Sequence, residues 1–255
     1  MKERLKSLFI YSLMMLIFPF CASAQIGEHR DEFAVGFSAG YVLSNIGFTP
    51  TVPQNMHGGL TGGVTFRYTT EKYFSSICSI VGEVNYAQIG WKENILDSKN
   101  NPVINAATGI AEEYERTINY LQIPLLARLG WGRERRGAQF FIQAGPQVGF
   151  YLNESTKMNF DFAKRNMTDR SSQIIAQDTM SVERKFDYGI AAGIGIEYSI
   201  PKVGHFALEG RYYYGLGNIY GDSKSDYFGR SNFGNIVIKL TYLFDIARTK
   251  NDKIK

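Results

Sequence analysis

Seven charged residues stand among small or apolar neighbours: Arg67, Glu83, Arg128, Glu197, Glu209, Arg211 and Lys239. Four cations and three anions of this kind have two uses. They can pair as a buried ionic network, or they can line a narrow path for ions. Pairing is favoured, because a single charge in a low-dielectric space is costly. Catalysis finds less support. The histidines His29, His57 and His205 fall in an N-terminal lead-in, a loop and a strand start, and no H-E-x-x-H, paired-cysteine or G-x-S-x-G pattern occurs. His57 with Asp97 or Asp222 comes nearest to a hydrolytic pair, and it reads as ordinary loop polarity. Gly193-x-Gly195 falls within a strand and is no phosphate loop. No cofactor, metal or small-molecule substrate is expected, and the chain reads as non-enzymatic.

The elements that carry these charges alternate with period two. In Glu113–Trp131, one face reads Leu121, Ile123, Leu125, Ala127, Leu129 and the other Tyr120, Gln122, Pro124, Leu126, Arg128. That is a β-strand, and a long one: soluble strands average ~5–6 residues. A strand tilted across a bilayer needs ~9–11. Seven further segments repeat the pattern, at 32–43, 60–69, 74–91, 138–152, 185–200, 205–216 and 233–244. Their connections alternate long and short. The fold class expected is all-β, an eight-stranded antiparallel up-and-down transmembrane β-barrel.

Alternation alone does not say which face is inside. A solvated face would be dense in Lys, Glu, Thr and Gln. Here the polar face is crowded with Gly36, Ser38, Gly40 and with Gly189, Ala191, Gly193, Gly195, which suits the cramped lumen of a small barrel. The apolar face carries Phe33 and Tyr41, Phe140 and Phe150, Phe186 and Tyr198, Phe206 and Tyr214 near its ends, as two aromatic girdles do. The apolar face therefore meets lipid, and the seven charges lie in the lumen. A secreted lipocalin-like barrel is the alternative.

Residues 1–24 read as a signal peptide: Lys2, Arg4 and Lys6, an apolar core Leu8 to Phe20, and Ala22-Ser23-Ala24 with cleavage between Ala24 and Gln25. Residues 25–246 form the barrel, and 247–255 a charged tail. Losing the signal leaves the charge close to balanced, which argues against nucleic acid as a partner. It also leaves a single cysteine, Cys78, read as a packing residue.

At Tyr120, Leu121, Ile123, Pro124 and Leu125 the sequence resembles the PorT-like outer-membrane β-barrel family of the Bacteroidetes. Gly145-Pro146 and the Gly193-Ile194-Gly195-x-Glu197 run carry the same resemblance, which spans the mature chain. The alternation of long loops and tight turns predicts long loops outside and both termini in the periplasm, and the resemblance implies a cell outer-membrane location. It further implies a part in the type IX protein secretion system, in the export of proteases with a C-terminal sorting domain. Membrane lipid and other secretion-system proteins are the implied partners. A passive pore or structural envelope barrel is the other reading. Pro124 cannot donate to a ladder, so a bulge or broken pairing is expected there.

Overall fold

The computed structural model describes residues 28–221 and 226–248. The expected signal peptide, its Ala24/Gln25 cleavage point and residues 249–255 of the tail lie outside them.

Eight long strands occur among the described residues: β1 Glu28–Thr49, β2 His57–Tyr73, β3 Ser76–Glu93, β4 Tyr114–Gly132, β5 Gly137–Met158, β6 Phe186–Ile200, β7 Gly204–Gly215 and β8 Arg230–Ala247. A two-residue strand, Gln54–Asn55, adds to the outer end of β3. Each strand pairs antiparallel with its sequence neighbours, and β1 closes the ring on β8 through Phe33↔Ala247 to Thr49↔Arg230. The chain is thus an all-β, antiparallel, up-and-down ring of eight strands. Short turns join β2 to β3, β4 to β5 and β6 to β7 at one end. The longer connections 94–113 and 159–185, with residues 216–221 and 226–229, gather at the other.

Side-chain direction follows the sequence reading. Leu125, Leu129, Ile190, Ile194, Ile196, Leu208, Ile238 and Leu240 are exposed on the outer wall, while Arg67, Glu83, Arg128, Glu197, Glu209, Arg211 and Lys239 are buried. The outer aromatics meet in pairs along the rims, with Phe150 and Phe186 centroids 5.4 Å apart and Phe206 and Tyr242 5.0 Å apart.

The expected strands are too short at the long-loop end. Strand one runs on to Thr49 and strand five to Met158, so the first long loop shrinks to residues 50–56. At 22 residues each, β1 and β5 exceed the ~9–11 that a bilayer crossing needs. Beyond the belt the pattern inverts. On β4 the outward residues become Glu115, Thr117 and Asn119, and the inward ones Tyr114, Ile118 and Tyr120. There the outer wall meets water, so the ordinary rule of a greasy inside returns. Phe48, Trp91, Tyr114, Tyr213, Phe233 and their neighbours form that core, and the loops add Phe160, Val182, Ile219, Tyr220 and Phe228. Two short helical turns, Phe162–Lys164 and Ala176–Thr179, lie in the 159–185 connection, whose polar sequence predicts loop throughout.

Pro124 sits on the inner face, and the β3–β4 ladder is interrupted opposite it, between Gly82↔Leu125 and Asn85↔Gln122, with no change of register. Pro146 leaves a second gap in the β4–β5 ladder between Pro124↔Gln147 and Ala127↔Ala144. The register shift in the β4–β5 ladder lies elsewhere, between Asn119↔Asn153 and Tyr120↔Tyr151, where Leu152 of β5 is the extra residue. Each proline interrupts the ladder on one side of its strand, because a residue directs its N–H toward one neighbour only.

The β2–β3 turn has one costly residue. Phe74 takes φ 52° and is 82% exposed, in a hairpin that favours Asn or Gly at such a position. Phe74→Gly is expected to raise stability by about 1 kcal/mol. A urea unfolding midpoint that stays put or falls would contradict this.

Candidate functional site

The seven lumenal charges form two clusters. The first joins β2, β4 and β6: Arg67 Nη1 and Arg128 Nη2 each donate to Glu197, at 2.6 Å. His205 at the start of β7 extends it, with Nδ1 3.0 Å from Glu197 and 2.7 Å from Ser199 Oγ, and Nε2 3.1 Å from Asp245 of β8. The Arg128 guanidinium also lies 3.4 Å from the Phe141 ring centroid, a cation–π contact. Gly195 makes room for that ring, since a Cβ there would stand 2.3 Å from Phe141 Cζ.

The second cluster crosses from β3 to β7 and β8. Arg211 donates both terminal nitrogens to Glu83, at 2.8 and 2.9 Å, and one of them to Glu209 at 2.6 Å. Lys239 Nζ lies 2.6 Å from Glu83 and 3.2 Å from Glu209, at 1% exposure. Asn85 and Gln143 donate to the two carboxylates at 2.7 and 2.8 Å. Bidentate and amide donors use the lone pairs that desolvation would otherwise strand.

The seven charges are all in place, and one more carboxylate joins them. Asp245, on the Lys239 face, is that carboxylate, and it enters the first cluster through His205. It was missed because strand eight was expected to end at Phe244. His205 was read as a strand-start residue, and its partners were out of reach of a face-by-face reading. His57 begins β2 and is buried, with Nδ1 2.9 Å from Glu115. Asp97 instead caps its own turn by accepting from the Lys99 and Asn101 amides, and Asp222 is outside the described residues.

Little free space remains beside the first cluster. The cavity at the short-turn end, between Arg67, Arg128, Glu134, Gln139 and Glu197, measures about 20 Å³, room for roughly one water.

At the other end the 159–185 connection caps the mouth. Arg116 donates to the carbonyls of Gln177 and Met180 and to Tyr220 Oη, and stands over Trp91. Arg165 pairs with Asp178 at 2.8 Å and Arg170 with Glu112 at 2.7 Å. Gln177 Nε2 donates to Glu93 at 2.7 Å. Burial, reinforced by a hydrogen bond to Asp178, pushes the Glu93 carboxyl up to about 8, and burial raises Asp178 as well. A raised carboxyl binds its proton in the closed state. Its contribution is therefore complete below the ordinary carboxylate range and is lost as pH rises through about 8. Amide exchange at 176–182 is expected to quicken between pH 6 and 9 beyond its intrinsic increase, and Glu93→Gln to flatten that rise. Equal pH dependence in the two proteins would refute the assignment.

Residues 23–221 match the model of the outer membrane protein beta-barrel domain. No curated protein matches the chain. Among solved structures, it is similar to outer membrane protein OprG from Pseudomonas aeruginosa, with 14% identity over 86% of this chain and 98% of that one and a TM-score of 0.44. It is also similar to Neisserial surface protein A, with 11% identity over 85% and 100% and a TM-score of 0.40. A third is Ail, the attachment invasion locus protein of Yersinia pestis, in complex with the heparin analogue sucrose octasulfate. There the identity is 12% over 84% and 99%, with a TM-score of 0.35.

Proposed function

The chain belongs to the outer membrane protein beta-barrel domain family, and from that premise we propose that this outer-membrane barrel is a non-enzymatic component of a type IX secretion apparatus. Its role is in the export of proteases and surface proteins that bear a C-terminal sorting domain. The observation that carries the reading is the filled lumen. Two ion clusters cross it and a loop-built core caps it, so cargo has no route through the strands. A barrel of this kind works through its surfaces, by contact with lipid and with other secretion proteins. The resemblance of the mature chain to the PorT-like barrels is what points to this apparatus. The barrel sits with its long loops outside and its short turns and termini in the periplasm, as alternating loop lengths do in this class.

A deletion strain tests the proposal. Proteases with the sorting domain are expected to stay inside the cell and to reappear at the surface on complementation. Normal surface protease activity in the deletion strain would end the proposal. Steady ion conductance of the purified barrel in planar bilayers would favour the passive pore instead.

A further inference from the structure

Two turns meet at one corner of the short-turn end. β3 and β4 pair from Ser76↔Trp131 onward, so the Phe74–Ser75 turn abuts the turn at 133–136. Glu134 ties them together: Arg30 and Lys72 each donate to its Oε2 at 3.3 Å. Its charge is thereby consumed inside the barrel end. Arg135 is committed to Glu32 at 3.6 Å. Arg133 and Arg136 remain exposed, and neither has an ion partner among the described residues. Gly137, at φ 114°, allows the Arg133 stem to lie across it, since a Cβ there would stand 2.9 Å from Arg133 Cδ. On the outer wall just above, Trp131 stacks on Phe140 with centroids 6.3 Å apart. Phe74, in the adjoining turn, is 82% exposed.

Stacked aromatics at the end of a lipid-facing wall mark the headgroup level. Two unpaired guanidiniums one step beyond them stand where phosphates lie, and guanidinium matches phosphate in shape and charge. We propose that the Arg133–Arg136 corner holds the phosphate of an anionic phospholipid of the phosphatidylglycerol class, with the Trp131–Phe140 stack flanking its glycerol and upper acyl region. The aromatic setting favours lipid over an acidic protein segment, which would need no stacked pair on the bilayer side. Assigning that lipid to the inner leaflet rests on the orientation proposed above, but the binding itself does not.

Trp131 reports the site directly. The other tryptophan, Trp91, is fully buried in the cap core, out of reach of lipid. The full chain is reconstituted into phosphatidylcholine vesicles containing a minor fraction of dibrominated phosphatidylglycerol or, separately, dibrominated phosphatidylcholine. The glycerol lipid is expected to quench with an apparent preference of about fivefold or more, the attraction typical of one basic residue at a membrane surface. The double variant Arg133→Gln/Arg136→Gln, altered only at exposed turn positions, is expected to abolish the preference and to keep the wild-type unfolding midpoint. Equal quenching by the two lipids in the wild-type protein would overturn the proposal, as would a preference that survives in the variant. Loss of the preference on adding excess inorganic phosphate at constant ionic strength would assign the corner to a free anion and would also overturn it. Reconstituted vesicles make this result independent of orientation in the cell. Impermeant maleimide labelling of Ser75→Cys, in a Cys78→Ala background, before and after outer-membrane permeabilisation decides orientation separately.

Discussion

Glu83→Ala is expected to destabilise the barrel by about 3–5 kcal/mol, because it leaves buried cations without their main partner. Glu83 accepts a bidentate pair from Arg211 and a third bond from Lys239, and Asn85 donates to it as well. Glu209 remains, at 2.6 Å from Arg211 and 3.2 Å from Lys239, and one carboxylate then faces two charges. Glu83→Gln keeps the shape and some hydrogen bonds and should fall between wild type and alanine. Ser38→Ala removes only a 3.4 Å bond at the cluster edge and should stay near wild type. Urea unfolding in lipid vesicles measures all three. A loss below about 1 kcal/mol for Glu83→Ala would mean that the lumen is wet enough to behave as surface.

Ile194→Arg is expected to lose about 2–4 kcal/mol, although Ile194 is 58% exposed and packs against little. On a water-soluble protein such a replacement stays within about 0.5 kcal/mol. The difference comes entirely from the medium outside the wall. Thr49→Arg, also outward but above the belt, is expected to be close to neutral. Similar unfolding midpoints for both variants would contradict a lipid-facing belt.

The ring, its strand order and the lumenal side of every strand were legible because one physical rule, apolar out and small or polar in, holds across the belt. Above the belt the rule reverses. Strand ends such as Ile46–Thr49 or Glu154–Met158 then look like loop to a reader following greasy outward residues. Loop aromatics such as Phe160, Tyr220 and Phe228 carry no period, so their union into a cap core was invisible. The seven charges could be assigned to the lumen but not to their partners. Which side chains meet across a barrel depends on strand tilt and stagger, and alternation carries neither. Hence one expected network became two, with Glu83 reaching Arg211 from four strands away. Phe141 gave no signal either, being an aromatic on the small-residue face, and Gly195 makes sense only once that ring is in place.

The central claim concerns which way the wall faces, and a fluorophore scan along β4 tests it most directly. Single cysteines at positions 120–129, in a Cys78→Ala background, would be labelled and reconstituted into vesicles whose lipids carry a spin-label quencher. Strong quenching at 121, 123, 125, 127 and 129, with protection at the positions between, is the result expected. Quenching with the opposite parity, or without alternation, would contradict it.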